Sequence, residues 1–310
     1  MAWISVPSAR AGGPTLGIAA IVVAVFLLSF SDALVKLAGD RFGLGQLVLL
    51  RSLVAAGLLA GAVFAMSGAA ALYPKRPGWV CTRSLCLAAM WLSYYAALPA
   101  LSFALAAACY YSSPVWMALI ARFALHVPIG GRGWLAIALS LAGVILTVDP
   151  QPGNVSPLLL LPLAAAGFYA LAGIITWRRC QDETAGAMAL NLNITLCAVA
   201  GLWLVALAVA SSPEKAGFVL AFWPELSASD WFLVVLLGVL LAIIAMAVAL
   251  AYRLAPTPIV GVFDTAYLGF AALWGALLFA DMPTPQEGAG ICMILAGAIL
   301  ISLRAPRGKV

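Results

Sequence analysis

"LAGVIL", from Leu141 to Leu146, returns as "LAGAIL" from Leu295 to Leu300, 154 residues further along a chain of 310. Laying the sequence over itself at that shift puts Ala118-Leu119 on Ala272-Leu273 and Ile137 on Ile291 without a gap. Across positions 97–146 nine residues are identical. A composition this biased gives roughly five by coincidence. The shift is close to half the chain, and it reads as an internal duplication, residues 1–150 followed by 151–310.

Composition says what kind of unit is duplicated. The chain is 65% hydrophobic and 9% charged, with a mean hydropathy of +1.11; water-soluble domains carry about 25% charged residues. A core grows too slowly with chain length to hide so much apolar surface, so the bilayer must be the solvent. Crossing roughly 30 Å of hydrocarbon takes about 20 apolar residues in a helix. Breaking the sequence at charged, Pro and Gly clusters gives ten such segments: 16–38, 44–66, 79–98, 102–122, 132–148, 157–178, 186–210, 231–252, 257–280 and 286–303. They are long continuous runs, unlike the short alternating strands of a membrane barrel. The first, Gly17 to Leu37, is too long for a signal-peptide core and reads as the first span. The fold class expected is an all-α polytopic membrane protein of ten transmembrane helices. Five spans per half is an odd number, so the second half must be inverted relative to the first. Inverted repeats characterise secondary transporters, whose site lies where the repeats meet near the midplane.

Charge bias agrees with the count. With the N-terminus cytoplasmic, the inner ends hold Arg10, Lys75, Arg76, Arg83, Arg122, Arg132, Arg178, Arg179, Arg253, Arg304, Arg307 and Lys309. The outer ends hold Lys36, Arg41 and Lys215, and Arg51 lies within a span. Twelve against three is a positive-inside pattern, with both termini cytoplasmic. The formal charge of +5 therefore implies no nucleic-acid partner. The six cysteines (Cys81, Cys86, Cys109, Cys180, Cys197, Cys292) form no CxxC pair, which removes a disulfide framework and a zinc site. No G-x-x-x-x-G-K-[ST] loop is present, and the sole histidine, His126, falls at a cytoplasmic helix end. Neither ATP hydrolysis through a P-loop nor a Ser-His hydrolase is supported. No cofactor, no metal and no obligatory protein partner is implied.

The duplicated pattern also carries a resemblance. "SFSDALVKLAGDRFGLGQLVLLRSLVAAGLL" (Ser29–Leu59) resembles the first two helices of the EamA domain of the drug/metabolite transporter superfamily. "YYAALPALSFALAAACYYSSPVWMALIARFALHVPI" (Tyr94–Ile129) resembles its third to fifth helices, and Ala251–Gln286 repeats that pattern more loosely. The resemblance implies two inverted five-helix repeats around a central cavity. Within the superfamily, the aromatic content is most similar to bacterial amino-acid exporters of the YddG type, which implies a bacterial inner-membrane exporter. One departure is plain. The family often has a Glu-Arg pair after the fourth helix of each repeat, where this chain has Leu125-His126-Val127 and Ala280-Asp281-Met282.

Polar residues inside the spans mark the candidate site, because a charge at the bilayer centre costs about 2.5–3.5 kcal/mol and must pair or face water. Asp32 and Lys36, four apart on one face of the first span, read as a structural ion pair or outer gate, with Lys36 free to snorkel outward. Arg51, on the second span, is a candidate for a substrate carboxylate. Asp264, about two turns into the ninth, is a candidate for a substrate ammonium or for proton coupling. In "ACYYSSPVW" (Ala108–Trp116), Pro114 denies the Tyr110 carbonyl its helical partner and should kink the fourth span. Tyr110, Tyr111 and Ser113 are expected to touch substrate, with Pro114 as the hinge. Trp91, Tyr94, Tyr95, Tyr169 and Tyr267 complete the expected aromatic wall, together with Trp274. Asn191 and Asn193 lie two apart, so at most one faces the same cavity. Trp79, Trp134, Trp177, Trp223 and Trp231 fall at span ends, where interfacial belts form.

The expected function is export of small organic solutes, foremost aromatic or other apolar amino acids, by alternating access. The alternatives are a nucleotide-sugar or sugar-phosphate transporter, which would need more cavity Lys and Arg, or a polytopic enzyme on lipid-linked substrates.

Overall fold

The computed structural model describes residues 13–126, 128–148, 156–210, 217–255 and 257–302; Arg10, Val127, Lys215, Arg304, Arg307, Lys309 and the junction at 150/151 lie outside them. Every regular element among the described residues is helical. In chain order these are α1 (Gly13–Leu37), α2 (Leu44–Ser67), α3 (Pro77–Ala97), α4 (Phe103–Tyr110), α5 (Ser113–Ala124), α6 (Gly131–Val148) and α7 (Leu160–Arg179). They continue with α8 (Ala185–Val209), the single turn α9 (Gly217–Leu220), α10 (Ala228–Leu254), α11 (Thr257–Asp264), α12 (Ala266–Phe279) and α13 (Pro285–Ser302).

Eight stretches are long and apolar enough to cross a membrane, with α4–α5 and α11–α12 each making one interrupted stretch. The two further spans expected from sequence fall on α3, made less apolar by Arg83, Ser84 and its tyrosines, and on α13, whose apolar run Pro285–Leu300 is shorter. The chain is a multi-pass membrane protein.

Its surface is inverted relative to a soluble fold. Phe64, Leu202, Val205, Phe232 and Leu277 stand at least 59% exposed, large apolar groups pointing outward. The interior holds many small residues beside its larger ones: Ala33, Ala38, Ala55, Ala97, Ala106, Ala107 and Ala108 are all fully buried. Lipid is as apolar as leucine, so helices associate through close packing of small residues. The five end-of-span tryptophans are all exposed, 42–60%, as a belt at the headgroups requires.

The main helix pairs are α1 with α10, α3 with α7, α2 with α8, and α6 with α13. α5 also packs on α7, and α12 on α1. The α6–α13 seam is the tightest. A Cβ at Gly290 would stand 2.2 Å from Thr147 Oγ1 and 2.6 Å from the Gly143 carbonyl.

Two loop clamps close opposite ends of the α2–α8 pair. At one end Glu183 accepts the backbone N–H groups of Lys75 (2.9 Å) and Arg76 (2.6 Å), while Arg179 lies over the Trp79 ring. At the other, Arg41 pairs with Asp230 at 2.7 Å, Gln46 Nε2 donates to the Pro224 carbonyl, and Trp203 Nε1 donates to Val219. The segment from Gly217 is thus tied down over α2, with Phe218 buried.

Two spans expected to be continuous are broken. The fourth stops at Tyr110 and restarts at Ser113; the ninth stops at Asp264 and restarts at Ala266. Pro114 therefore does not kink a running helix. It occupies the first turn of α5, where a missing N–H leaves no hydrogen bond unmade. At both breaks a hydroxyl bonds back three residues: Ser112 Oγ to the Cys109 carbonyl, and Thr265 Oγ1 to the Val262 carbonyl, each at 2.6 Å. Beyond them, His126 (φ 56°) and Ala280 (φ 53°) are the non-glycine residues with positive φ among the described residues. They too stand 154 apart.

Gly290→Leu should lower the stability of purified protein in detergent by about 1–3 kcal/mol, the usual cost of overpacking, read as a drop in thermal midpoint. Gly61→Leu, whose Cβ would meet nothing within 4 Å, should leave the midpoint unchanged.

Candidate functional site

The centre of the bundle is organised by Asp32, 2% exposed on α1. Its Oδ1 accepts the Tyr95 hydroxyl at 2.9 Å and its Oδ2 accepts the Tyr267 hydroxyl at 2.6 Å. Because Tyr267 donates to the carboxylate, Tyr94, 3.2 Å away, donates to the Tyr267 oxygen. On the far side Arg51 Nη1 donates to the Tyr95 oxygen. The result is one buried polar chain, Arg51–Tyr95–Asp32–Tyr267–Tyr94, drawn from α2, α3, α1 and α12. A carboxylate can be kept in such a place only if its oxygens are hydrogen-bonded and a counter-charge stands near. Both conditions are met here.

Around this chain the rings form a single cluster. Trp91 meets Tyr95 with centroids 5.1 Å apart, Tyr95 meets Tyr94 at 6.2 Å, and Tyr94 meets Tyr110 at 5.3 Å. Tyr110 is set edge-on to Tyr111 (5.4 Å) and to Tyr169 (5.6 Å). Tyr111 stacks on Tyr267 at 5.2 Å and 24°. Seven of the eight rings picked out from sequence are thus brought together, from α3, α4, the turn after it, α7 and α12. Ser113 is buried at the start of α5, next to Ser112.

The two helix breaks meet at this cluster. Tyr111, in the turn after α4, donates its hydroxyl to the backbone carbonyl of Asp264, the last residue of α11, at 3.2 Å. A helix end inside a membrane needs such a donor, since lipid offers none. The Asp264 side chain is partly buried, and its carboxylate makes no hydrogen bond to a described residue. Through its backbone Asp264 is held beside the ring cluster.

Several expectations are corrected. Lys36 does not pair with Asp32, nor does it snorkel; its Nζ donates to the Leu98 and Leu101 carbonyls at 2.6 and 2.5 Å, over the Phe279 ring. It thereby pins the α3–α4 turn to α1. Trp274 belongs to a separate cluster on α1, against Phe26 and Phe30, with Nε1 donating to Ser29 Oγ at 3.1 Å. Asn191 is taken up by Ser84, whose hydroxyl donates to its Oδ1 at 2.8 Å. Buried Asn193 donates to the Ala189 carbonyl. The residue that sequence reasoning undervalued is Asp32. Its partners lie 63 and 235 residues away, and only its depth in an apolar span marked it out.

Asp32→Leu would leave Arg51 as a buried charge without its counter-charge, and should cost about 3–5 kcal/mol of stability in detergent. Arg51→Leu should cost a comparable amount. The double variant should lose clearly less than the sum; strict additivity would show that the two charges are not coupled.

Residues of this chain also match known proteins. A riboflavin transporter of Vibrio cholerae is 22% identical over 192 residues, 62% of this chain and 59% of that protein. A riboflavin transporter of Rhizobium johnstonii is 27% identical over 211 residues, 68% of this chain and 64% of that one. The matched stretches thus span less than two thirds of either relative's own length. A solved crystal structure, 16% identical, covers 97% of this chain and the whole of the other with a TM-score of 0.62, so the two share a fold. Within the chain, residues 15–149 match the EamA-like transporter family.

Proposed function

We propose that the whole chain is a membrane carrier for small organic solutes with a flat ring, built as two inverted five-helix repeats that rock about a central site. The observation that carries this reading is the convergence of two broken helices and seven rings, with a carboxylate beside them that has no hydrogen-bond partner among the described residues. Breaks in spanning helices, placed in corresponding halves, point to the solute site of a transporter.

The repeat reading has independent support. Writing α4–α5 and α11–α12 as single spans four and nine, the observed pairs are one with eight, three with six, two with seven, and five with ten. Four also packs on six, and nine on one. Exchanging the halves maps this set onto itself. The positive-φ residues at 126 and 280 and the breaks near 111 and 265 fall at the same 154-residue spacing. Glu183 meeting Lys75 and Arg76 requires an even number of crossings between their loops, which four spans supply. Together with the twelve-to-three cation bias, this favours cytoplasmic termini, and the bacterial sources of the two relatives favour an inner membrane.

For the substrate, the names of the two relatives favour riboflavin, whose fused ring would replace ring–ring contacts within the tyrosine cluster. An aromatic amino acid is the second reading, favoured by the opposite charges at Arg51 and Asp264. Tyr110, Tyr111, Tyr267, Tyr94, Tyr95, Tyr169 and Trp91 would form the ring slot, with Ser113 adding a hydroxyl. Pro114, at the start of α5, would be the pivot, and Asp264 would take an ammonium or a proton.

Purified protein in liposomes loaded with riboflavin or with aromatic amino acids decides between them. One class should leave at least tenfold faster than from empty-membrane controls, and Tyr110→Ala or Tyr267→Ala should remove most of that flux. Asp264→Asn should abolish any response to an imposed pH gradient while leaving solute exchange in place. No flux of either class would overturn the carrier reading for ring solutes.

A further inference from the structure

Arg51 is 1% exposed, yet its guanidinium is only half engaged. Nη1 donates to the Tyr95 oxygen, and the guanidinium carbon lies 4.6 Å from the Tyr95 ring centroid and 5.1 Å from that of Trp91. Nε and Nη2 are buried and have no hydrogen-bond partner among the described residues. These two nitrogens are not an arbitrary pair. Their N–H groups run parallel along one edge of the fork, the edge that binds a carboxylate or another pair of coplanar acceptors with two bonds at once. A buried donor left unmade is costly, and here two are left together, side by side, on a guanidinium packed over the Tyr95 and Trp91 rings.

The neighbouring charges narrow what fits. Asp32 faces Arg51 across the Tyr95 hydroxyl and already supplies a counter-charge, so the occupant need not be a strong anion. It must offer two acceptors in one plane. Arg51 also lies against two rings of the proposed slot, so a solute ring seated there brings its own edge towards the guanidinium.

We propose that the Nε/Nη2 edge of Arg51 is the specificity element of the solute site, a two-pronged receptor for coplanar acceptor atoms on a ring-bearing solute. This rests on the carrier reading above and adds to it the chemistry of the solute's polar end. Two solute classes share that chemistry: the carboxylate of an aromatic amino acid, and the imine–carbonyl edge of the pyrimidinedione ring in a flavin. A sugar phosphate shares it only in part, since it lacks the flat ring.

The test compares matched solutes on the full-length protein in detergent, by quenching of tryptophan or flavin fluorescence. One pair is L-tryptophan against L-tryptophanamide, which removes the carboxylate. The other is riboflavin against 1-deazariboflavin, which removes one acceptor of the edge. In one pair the two-acceptor compound should bind at least tenfold more tightly to the wild-type protein. Arg51→Lys, which keeps the charge but not the parallel edge, should bring that ratio to within about twofold of unity. Equal binding within both pairs, with binding still present, would overturn the receptor and leave Arg51's edge to a resident water. Failure of all four compounds to bind would sink the carrier reading and the receptor with it. If Arg51→Lys does not fold, the wild-type ratios alone decide.

Discussion

A carboxylate buried in a membrane protein has to be held on both oxygens, and Asp32 is held by two tyrosines from different parts of the chain. Tyr95 comes from α3 and Tyr267 from α12, 63 and 235 residues away. Through Tyr95 the same grip reaches Arg51 on α2. Four helices, three from the first half and one from the second, are therefore referenced to one side chain. Without that reference the rings would have only dispersion and lipid-equivalent contacts to order them, and in lipid such contacts give little net preference for one arrangement.

The packing around the network follows from the same constraint. Rings can converge on Asp32 only if the helices carrying them approach closely. That explains the fully buried alanines of α4 and α1. Bulk is displaced outward to the lipid face, where Phe64 and Phe232 contribute to insertion and not to the core. The Lys36 contact belongs to this logic. A lysine at the end of α1 would ordinarily reach for water, but the Leu98 and Leu101 carbonyls, left over where α3 ends and α4 begins, offer it acceptors at shorter range.

Much of this was legible in the sequence, and what was not has a physical reason. Long apolar runs forced the helical spans, and the fourth and fifth of each half were aligned by the LAGVIL and LAGAIL segments. The seven rings could be chosen because each lies within a span and not at a charged span end. What the sequence could not convey was which polar groups would meet. Asp32 and Lys36 satisfy the i, i+4 rule, and on an isolated helix they would pair. Tertiary acceptors and donors outcompeted that local pairing for both residues. The same holds for Asn191, whose partner Ser84 is 107 residues away. Local spacing reads contacts within a helix; it does not read contacts among several.

The broken spans show where a residue-type argument gives the right place by an incomplete reason. Pro114 pointed to an interruption near Tyr110, and one is present, but the ninth span breaks at the corresponding point with no proline at the break. What the two breaks share is a hydroxyl, Ser112 or Thr265, returned to a carbonyl three residues back. Such a bond competes with the helical ladder for the same acceptor. Proline then serves the restart of α5 and not the stop of α4, since its ring is accommodated in a first turn. The stop is made tolerable in lipid by long-range satisfaction, with Tyr111 of one break capping the Asp264 carbonyl of the other. The second break thus draws on the first across the bundle, through the Tyr111 hydroxyl and the stacking of the same ring on Tyr267.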